Sequence, residues 1–393
     1  MTRNTGRIGV GILIGSLVAM GATVAQRELM RRAGTRLIDW ETVRNIARRR
    51  LGPHAAPLSA RERAEALAFY REALVAIEPS IQEEVGRPLP QALETPAVID
   101  RLEWIDLNLV TFRALFSKVE VLLNEAAGST ETPGKALARI VNRTIGNQQL
   151  GFLIGFLARK VLGQYDVSLL AASPAPRGRL YFVEPNVSAT AAGLRIPLER
   201  FRTFIALHEA THAFEFEAHP WLRDHFTALV SESVEQLATD TGGLGRRVRE
   251  ALSGARGGHW IERLMTDQQR ATFGRTQALM SLLEGYSNHV MNAAGERLIP
   301  GFAELHDRFE RRNERRGAVE QAIMRITGLD LKMEQYAAGE RFVEAVLAAR
   351  GSEFLQRVWE GPETLPSLDE IKDPKRWISR MEDGAGSVSV EHG

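Results

Sequence analysis

Apolar residues recur every three to four positions along most of this 393-residue chain, the spacing of helices that bury one face. The run from 98 to 123 is typical, since Leu102, Ile105 and Leu109 fall on one helical stripe. A capping box at Ser59-Ala60-Arg61-Glu62 opens another helix. Further helices are predicted at 136–162, 198–218, 220–239, 270–294, 301–326, 330–349 and 352–359. The pattern therefore predicts a mainly α fold.

Strand signals are few by comparison. The run at 179–183 is rich in β-branched and aromatic residues and is followed by Pro185, so it predicts a strand. A second short strand is predicted at 194–196. We therefore expect an α+β variant of the helical fold, with a small β element near 179–197.

The composition restricts the chemistry that the chain can perform. It contains no cysteine, which excludes disulfides, cysteine-ligated zinc and thiol nucleophiles, so any metal must be held by His, Asp or Glu. Its formal net charge of +1 argues against a nucleic-acid partner, because nucleic-acid binders are usually clearly basic. The apolar share of 44% is ordinary for a folded domain.

The N-terminal segment at 8–25 has 18 residues without a charge, near the minimum for a membrane-spanning helix. A membrane anchor is the preferred interpretation, and a cleaved signal peptide or a Gly-rich arm are the alternatives. More arginines follow the segment than precede it, which places a tethered domain on the cytoplasmic face of the membrane; the alternative is a soluble cytoplasmic protein. The predicted organisation is an apolar segment at 1–37, one domain at 38–382 and a flexible tail at 383–393.

The motif His208-Glu209-Ala210-Thr211-His212 lies inside a predicted helix. Residues four apart on a helix share a face, so the imidazoles of His208 and His212 can bind one metal ion. Glu209 is then the general base that deprotonates a zinc-activated water. The alternative is a core helix whose two histidines are satisfied by polar partners.

Catalytic zinc takes three protein ligands, so a third residue is required. Glu284 is the preferred candidate because it interrupts an apolar helix, where a buried carboxylate needs a partner. Its neighbour Gly285 would allow another backbone to approach closely. His289 and His219 are the alternative ligands, and a buried ion pair with an arginine is the alternative role for Glu284.

From about residue 38 onward the chain resembles a family of zincin-like (type 2, HExxH) metallopeptidases, found largely in actinobacteria and chloroflexi and labelled as associated with deazaflavin coenzyme biosynthesis. Matching segments occur in order at 38–40, 98–108 (VIDRLEWIDLN), 161–166 (VLGQYD), 180–186 (LYFVEPN), 208–225, 284–291 (EGYSNHVM), 328–343 and 358–371. The resemblance implies a helical zincin-type domain with peptidase or hydrolase activity, zinc ligands His208 and His212, base Glu209, and Glu284 as third ligand. The chain departs from the family pattern at Tyr286 and Asn292, which puts auxiliary roles there in doubt.

Three further residues are candidates for auxiliary roles. Tyr286 and His289 can donate hydrogen bonds to a tetrahedral oxyanion, and Arg223 can bind a substrate carboxylate. Packing or ligand support for the first two, and a structural ion pair for Arg223, are the alternatives.

Together these features predict a Zn²⁺-dependent metallopeptidase that hydrolyses the amide bonds of a peptide or protein substrate. The alternative function is a zinc-stabilised scaffold or binding protein without catalysis. A closed site with four ligands would favour that alternative, whereas an open position on the metal would favour an enzyme. A metal-free pseudo-enzyme is the third possibility. The sequence does not define the oligomeric state.

Overall fold

The structure, a computed structural model, describes residues 38–86, 95–126, 133–165, 179–239, 265–314 and 331–388. Within these ranges the protein is mainly helical and contains a three-stranded sheet, which confirms the predicted fold class. The predictions for 8–25 and for the rest of the 1–37 segment lie outside the described residues. None of the described helices combines the length and the apolar character that a membrane crossing needs.

Helices account for most of the described chain. Those of the first half are α1 (Trp40–Leu51), α2 (Ala60–Val85), α3 (Arg101–Ala126), α4 (Pro133–Leu157) and α5 (Glu184–Leu194). Those of the second half are α6 (Leu198–Ala218), α7 (Pro220–Thr239), α8 (Asp267–Leu298), α9 (Phe302–Glu314), α10 (Leu331–Leu355), α11 (Leu368–Lys372) and α12 (Pro374–Val388). Short 3-10 helices lie at Gly52–Ala55 and Gln356–Trp359. The first part of the segment predicted as a tail is therefore helical.

The capping box predicted at Ser59 is present at the start of α2. The Ser59 hydroxyl accepts a hydrogen bond from the Glu62 backbone N–H at 3.2 Å, and the Glu62 carboxylate accepts one from the Ser59 N–H at 3.0 Å. The two bonds satisfy backbone donors that a helix start otherwise leaves open.

The sheet has the order β1-β3-β2, with β1 (Ala97–Ile99) parallel and β2 (Gly163–Tyr165) antiparallel to β3 (Leu180–Val183). Side chains of β3 alternate between two apolar clusters, as the pleat of a strand requires. Leu180 and Phe182 pack in the larger cluster, against α2 and α6, whereas Val183 belongs to a smaller cluster with residues of α1, α3 and α4. The sheet therefore separates two helical layers, and β2 forms one of its edges.

Two local predictions are wrong in detail. The strand expected at 194–196 is absent, because α5 continues to Leu194 and ends at Arg195 in the left-handed region, with a φ of 56°. Pro185 supports the start of α5, since its fixed φ suits the first turn of a helix. The helix expected from 98 begins at Arg101, and residues 97–99 form β1. Asp100 separates the two elements, because its carboxylate accepts hydrogen bonds from the N–H groups of Leu102 and Glu103, at 2.9 Å each.

Candidate metal centre

Helix α6 carries the HExxH motif through the centre of the molecule. It begins directly after Pro197 and ends at Ala218, and the cap residue His219 precedes Pro220, as expected from the backbone restrictions that proline imposes. Most of its residues are buried, which is typical of a helix enclosed by others. His208 and His212 lie one turn apart, and their ring centroids are 4.6 Å from each other.

Glu284 reaches the two histidines from α8. Its Oε2 lies 3.8 Å from Nε2 of His212, and one ligand atom from each of the three side chains falls within 4.8 Å of the others. The structure therefore brings together the three residues predicted as metal ligands. In the part of the chain that the structure describes, neither His219 nor His289 joins this group.

A close helix crossing fixes the position of α8 next to the site. A Cβ at Gly285 would lie 2.2 Å from the backbone carbon of Gly339 in α10, and a Cβ at Gly339 would lie 1.8 Å from the Ser281 carbonyl oxygen. Only glycines allow the two backbones to approach this closely. The close approach predicted at Gly285, next to Glu284, is confirmed.

In both imidazoles, Nδ1 is in contact with another side chain. Nδ1 of His212 lies 2.9 Å from Oε2 of Glu215, and Nδ1 of His208 lies 3.0 Å from Sδ of Met291. A proton on each Nδ1 satisfies these contacts and leaves Nε2 of each ring to bind a metal.

Burial and the neighbouring charged groups set the charge states of the two imidazoles. Burial lowers the pKa of His208 to about 4, helped by the charge of His212. Burial also works against a charged His212, but Glu215 outweighs it through its charge and its hydrogen bond, and with Glu284 and Glu209 raises the pKa of His212 to about 9. The three carboxylates around His212 therefore stabilise a positive charge at this position.

The donor set fits a zinc ion. Two imidazoles and one carboxylate are a common ligand set of catalytic zinc, and a buried carboxylate supports one of the imidazoles from behind. Glu215 is fully buried, and its second oxygen, Oε1, has no hydrogen-bond partner among the described residues. The acidic side chain of Glu284, placed beside two imidazoles, is a group that a divalent cation can neutralise.

Glu209 lies beside the metal group on the same helix but contacts strand β2. Its carboxylate accepts a hydrogen bond from the backbone N–H of Tyr165, and Gly163 faces its side chain. Burial raises the pKa of Glu209 to about 7, with His212 opposing the shift. Glu209 is therefore held between α6 and β2, next to the metal group.

Of the predicted oxyanion donors, Tyr286 has other partners in the structure. Tyr286 is buried, accepts a hydrogen bond from Gln356 at 3.1 Å and packs edge-on against Trp359, and burial raises its pKa to about 12. It lies two positions after Glu284, so it projects from a different side of α8. His289 is partly buried in the same helix. The oxyanion role stays a prediction for both.

Arg223 forms the ion pair that was the structural alternative for it. Its Nη2 lies 2.7 Å from Oε1 of Glu217 and 2.9 Å from the hydroxyl of Tyr165. His219, the alternative ligand, instead stacks on Trp359 with ring centroids 4.9 Å apart, and its Nδ1 lies 2.9 Å from the Glu215 carbonyl oxygen.

Sequence reasoning missed three groups at the site. Glu215 follows His212 by three positions, and residues at this spacing lie side by side on a helix. The spacing could therefore have predicted the contact between Glu215 and His212. No local spacing predicts the contacts of Met291 with His208 or of Gly163 with Glu209, because these contacts join segments far apart in the chain.

A cavity of about 610 Å³ lies elsewhere in the molecule, between α7, α8 and the C-terminal segment. His225, Arg270, Arg275 and Arg380 are among its lining residues, and the three metal-group residues are not. Several of its charges are already paired, as in the contact of 2.8 Å between Arg275 and Glu232. The cavity is therefore separate from the metal group.

The chain matches the family described as zincin-like metallopeptidase over residues 38–378, and it belongs to that family. The resemblance to zincin-like metallopeptidases is thereby confirmed, and membership of this family supports a hydrolase. A crystal structure described as a "putative hydrolase with a novel fold", from Chloroflexus aurantiacus, is similar to the chain. The two are 40% identical and superpose with a TM-score of 0.66, over 88% of this chain and 99% of the other. The curated proteins contain no significant match.

Proposed function

We propose that this protein is a zinc-dependent metallopeptidase in which His208, His212 and Glu284 bind the metal and Glu209 is the general base. The observation that carries the proposal is the convergence of three ligand atoms within 4.8 Å of one another, from two helices, at the positions that the sequence predicts. Membership of a metallopeptidase family supports the same reaction class.

A zinc ion held by these residues would polarise the carbonyl of the substrate and lower the pKa of its bound water. Glu209 accepts the proton of the attacking water on its carboxylate and then donates it to the leaving amine. The backbone N–H of Tyr165 holds this carboxylate in place. Glu215 holds the ring of His212 through Nδ1, which would leave Nε2 available to bind the metal.

The geometry favours catalysis over a scaffold role. Among the described residues the group contains three ligands, which is the number that leaves a position open for water or substrate. The side chains of His212 and Glu284 remain 15% and 18% exposed, so solvent reaches the group. A structural zinc is normally enclosed by four ligands.

A peptide or protein is the proposed substrate, because an amide carbonyl and an amine leaving group match a zinc Lewis acid beside a carboxylate base. The link to deazaflavin coenzyme biosynthesis, implied by the family resemblance, stays a prediction.

The Glu209→Gln variant tests the proposal, since the substitution keeps the size of the side chain and removes its basicity. The wild type and the variant are purified with zinc, their metal content is measured, and each is incubated with a diverse peptide mixture analysed by mass spectrometry. We expect full zinc content in both, and a loss of hydrolysis in the variant of about 100-fold or more.

Glu199→Gln is the matched control, because Glu199 is an exposed residue of the same helix. It should leave zinc content and hydrolysis unchanged. Undiminished hydrolysis by zinc-loaded Glu209→Gln would show that the base is another group, and a wild type that cleaves no peptide would refute the proposed substrate class.

A further inference from the structure

Strand β2 crosses α6 directly against the side chain of Glu209. A Cβ built at Gly163 would lie 2.6 Å from both Cγ and Oε1 of Glu209 and 2.7 Å from its Cδ. All three nearest atoms belong to this one side chain. Distances below 3 Å are closer than van der Waals contact allows, so the Glu209 side chain occupies space that any residue other than glycine would need.

The backbone of β2 also bonds to the same carboxylate. Positions 163 and 165 are two apart in a strand, so their side-chain directions point to the same face, toward α6. The N–H of Tyr165 donates a hydrogen bond to the carboxylate of Glu209. The strand thus holds the carboxylate of Glu209 by a hydrogen bond, while the side-chain atoms of Glu209 fill the space next to Gly163.

The strand itself is fixed from its other face. Gln164 points away from α6, and its Oε1 accepts hydrogen bonds from Nε1 of Trp104 at 2.8 Å and from Nδ2 of Asn108 at 3.4 Å. The antiparallel pairing of β2 with β3 adds a second constraint. Because the strand is anchored on both sides, a side chain added at Gly163 would displace Glu209 rather than the backbone.

We propose that Gly163 is a positioning residue for Glu209, and that β2 acts as a clamp that sets the direction of this carboxylate relative to the metal ligands. This inference rests on the proposed function, in which Glu209 is the base. It assigns a role to the glycine of the segment at 161–166. We expect a methyl group at 163 to act on the base and to leave His208, His212 and Glu284 in place, because the three atoms it would approach most closely all belong to Glu209.

The first test compares Gly163→Ala with Gly193→Ala, whose Cβ would have no heavy atom within 4 Å. We expect Gly163→Ala to lower kcat by about 100-fold, the effect of misplacing a catalytic group by about 1 Å. KM and zinc content should stay at wild-type values, since the substitution leaves the ligands in place. Gly193→Ala should change none of the three. A normal kcat in Gly163→Ala, or a loss of zinc equal to its loss of activity, would overturn the inference.

The second test measures thermal unfolding of the metal-free protein and does not depend on catalysis. Gly163→Ala should lower the unfolding midpoint in the wild-type background, because its methyl group collides with the Glu209 side chain. In the Glu209→Ala background the same substitution should lower the midpoint much less, since the side chain it meets is gone. Equal shifts in the two backgrounds would show that Gly163 and Glu209 are not coupled, and would overturn the inference. If Gly163→Ala alone does not fold, recovery of folding in the double variant supports the coupling, and its absence contradicts it.

The two proposals fail in different ways. Hydrolysis by Glu209→Gln would refute the role of Glu209 as base, whatever the behaviour of Gly163→Ala. An inactive Glu209→Gln beside a fully active Gly163→Ala would leave the proposed function in place and refute only the positioning role.

Discussion

At the scale of single residues, Glu215 determines how His212 faces the metal group. The Glu215 carboxylate is fully buried and lies 2.9 Å from Nδ1 of the imidazole. Burial raises its pKa to about 7, and the contact with His212 opposes this shift. A buried carboxylate behind a ligating imidazole fixes the tautomer and makes the ring a stronger ligand.

Glu215→Gln should therefore weaken zinc binding by roughly 10- to 100-fold while the fold is retained. The amide is of similar size and still accepts a hydrogen bond from His212, but it carries no charge. Competition with a chromophoric zinc chelator measures the affinity, and Glu199→Gln serves as the control on the same helix. Unchanged affinity in Glu215→Gln would show that this carboxylate does not support the ligand.

Only part of the site was predictable from the sequence, because a sequence pattern reports the spacing of residues within one element and not the packing between elements. His208 and His212 follow from the helical repeat, and Glu284 from a carboxylate on an otherwise apolar face. The contact of Met291 with His208 joins residues 83 positions apart, and that of Gly163 with Glu209 joins a strand to a helix. No periodicity reports such contacts, because they depend on how the elements pack.

At the scale of elements, the crossing of α8 and α10 determines where Glu284 lies. Gly285 and Gly339 face each other at this crossing, next to Glu284. A Cβ at Gly339 would lie 1.8 Å from the carbonyl oxygen of Ser281, which belongs to the rigid backbone of α8. The helices would have to separate to admit it.

Gly339→Ala should consequently destabilise the protein by about 1–3 kcal/mol, the usual cost of overpacking a core. Gly274→Ala is the control, since its Cβ would have no heavy atom within 4 Å and alanine is the better helix former. Urea unfolding of the two variants measures the difference. A Gly339→Ala variant as stable as Gly274→Ala would mean that the two helices do not pack as described.

The elements themselves were predicted unevenly. The bounds of α6 and α7 agree with the sequence pattern, because prolines mark where each begins. Strands β1 and β2 were missed since each has three residues, too few for an alternating pattern to be recognised. The strand wrongly expected at 194–196 lies where α5 ends.

At the scale of the whole molecule, the segments that carry the family resemblance support the site from several directions. Trp104, in the segment at 98–108, holds Gln164 of β2. Asn186, at the end of the segment at 180–186, is buried and donates hydrogen bonds to the carbonyl oxygens of Ala158 and Val161. The first contact ties β2 to α3, and the other two tie α5 to the chain that follows α4.

Stability in acid should depend on Asp106, which links α3 to α1. Its carboxylate accepts hydrogen bonds from Arg44 and Arg48, at 2.7 Å each for the closest contacts. Partial burial raises the pKa of Asp106, but these bonds outweigh it and hold the pKa below its usual value. A lowered pKa in the folded state means that the stabilisation is present above the unfolded-state pKa, about 3.9, and is lost as pH falls through the lowered value.

Asp106→Asn should lower the free energy of unfolding at pH 7 by about 1 kcal/mol or less, because all three side chains are more than a third exposed. The difference from wild type should shrink as the pH falls below the lowered pKa, where the wild-type carboxyl group is also neutral. Urea unfolding at several pH values measures both effects, with the exposed Asp224→Asn as control. A difference that persists unchanged in acid would contradict the ionic origin of the effect.

Zinc content by mass spectrometry, on wild type, Glu284→Ala and Glu296→Gln purified side by side, examines the metal centre most directly. Glu296 is an exposed residue of the same helix and serves as the matched control. We predict one zinc per chain in wild type and in Glu296→Gln, and a large loss in Glu284→Ala, because two imidazoles alone hold zinc weakly. Full zinc content in Glu284→Ala, or none in wild type after zinc loading, would contradict a metal centre formed by His208, His212 and Glu284.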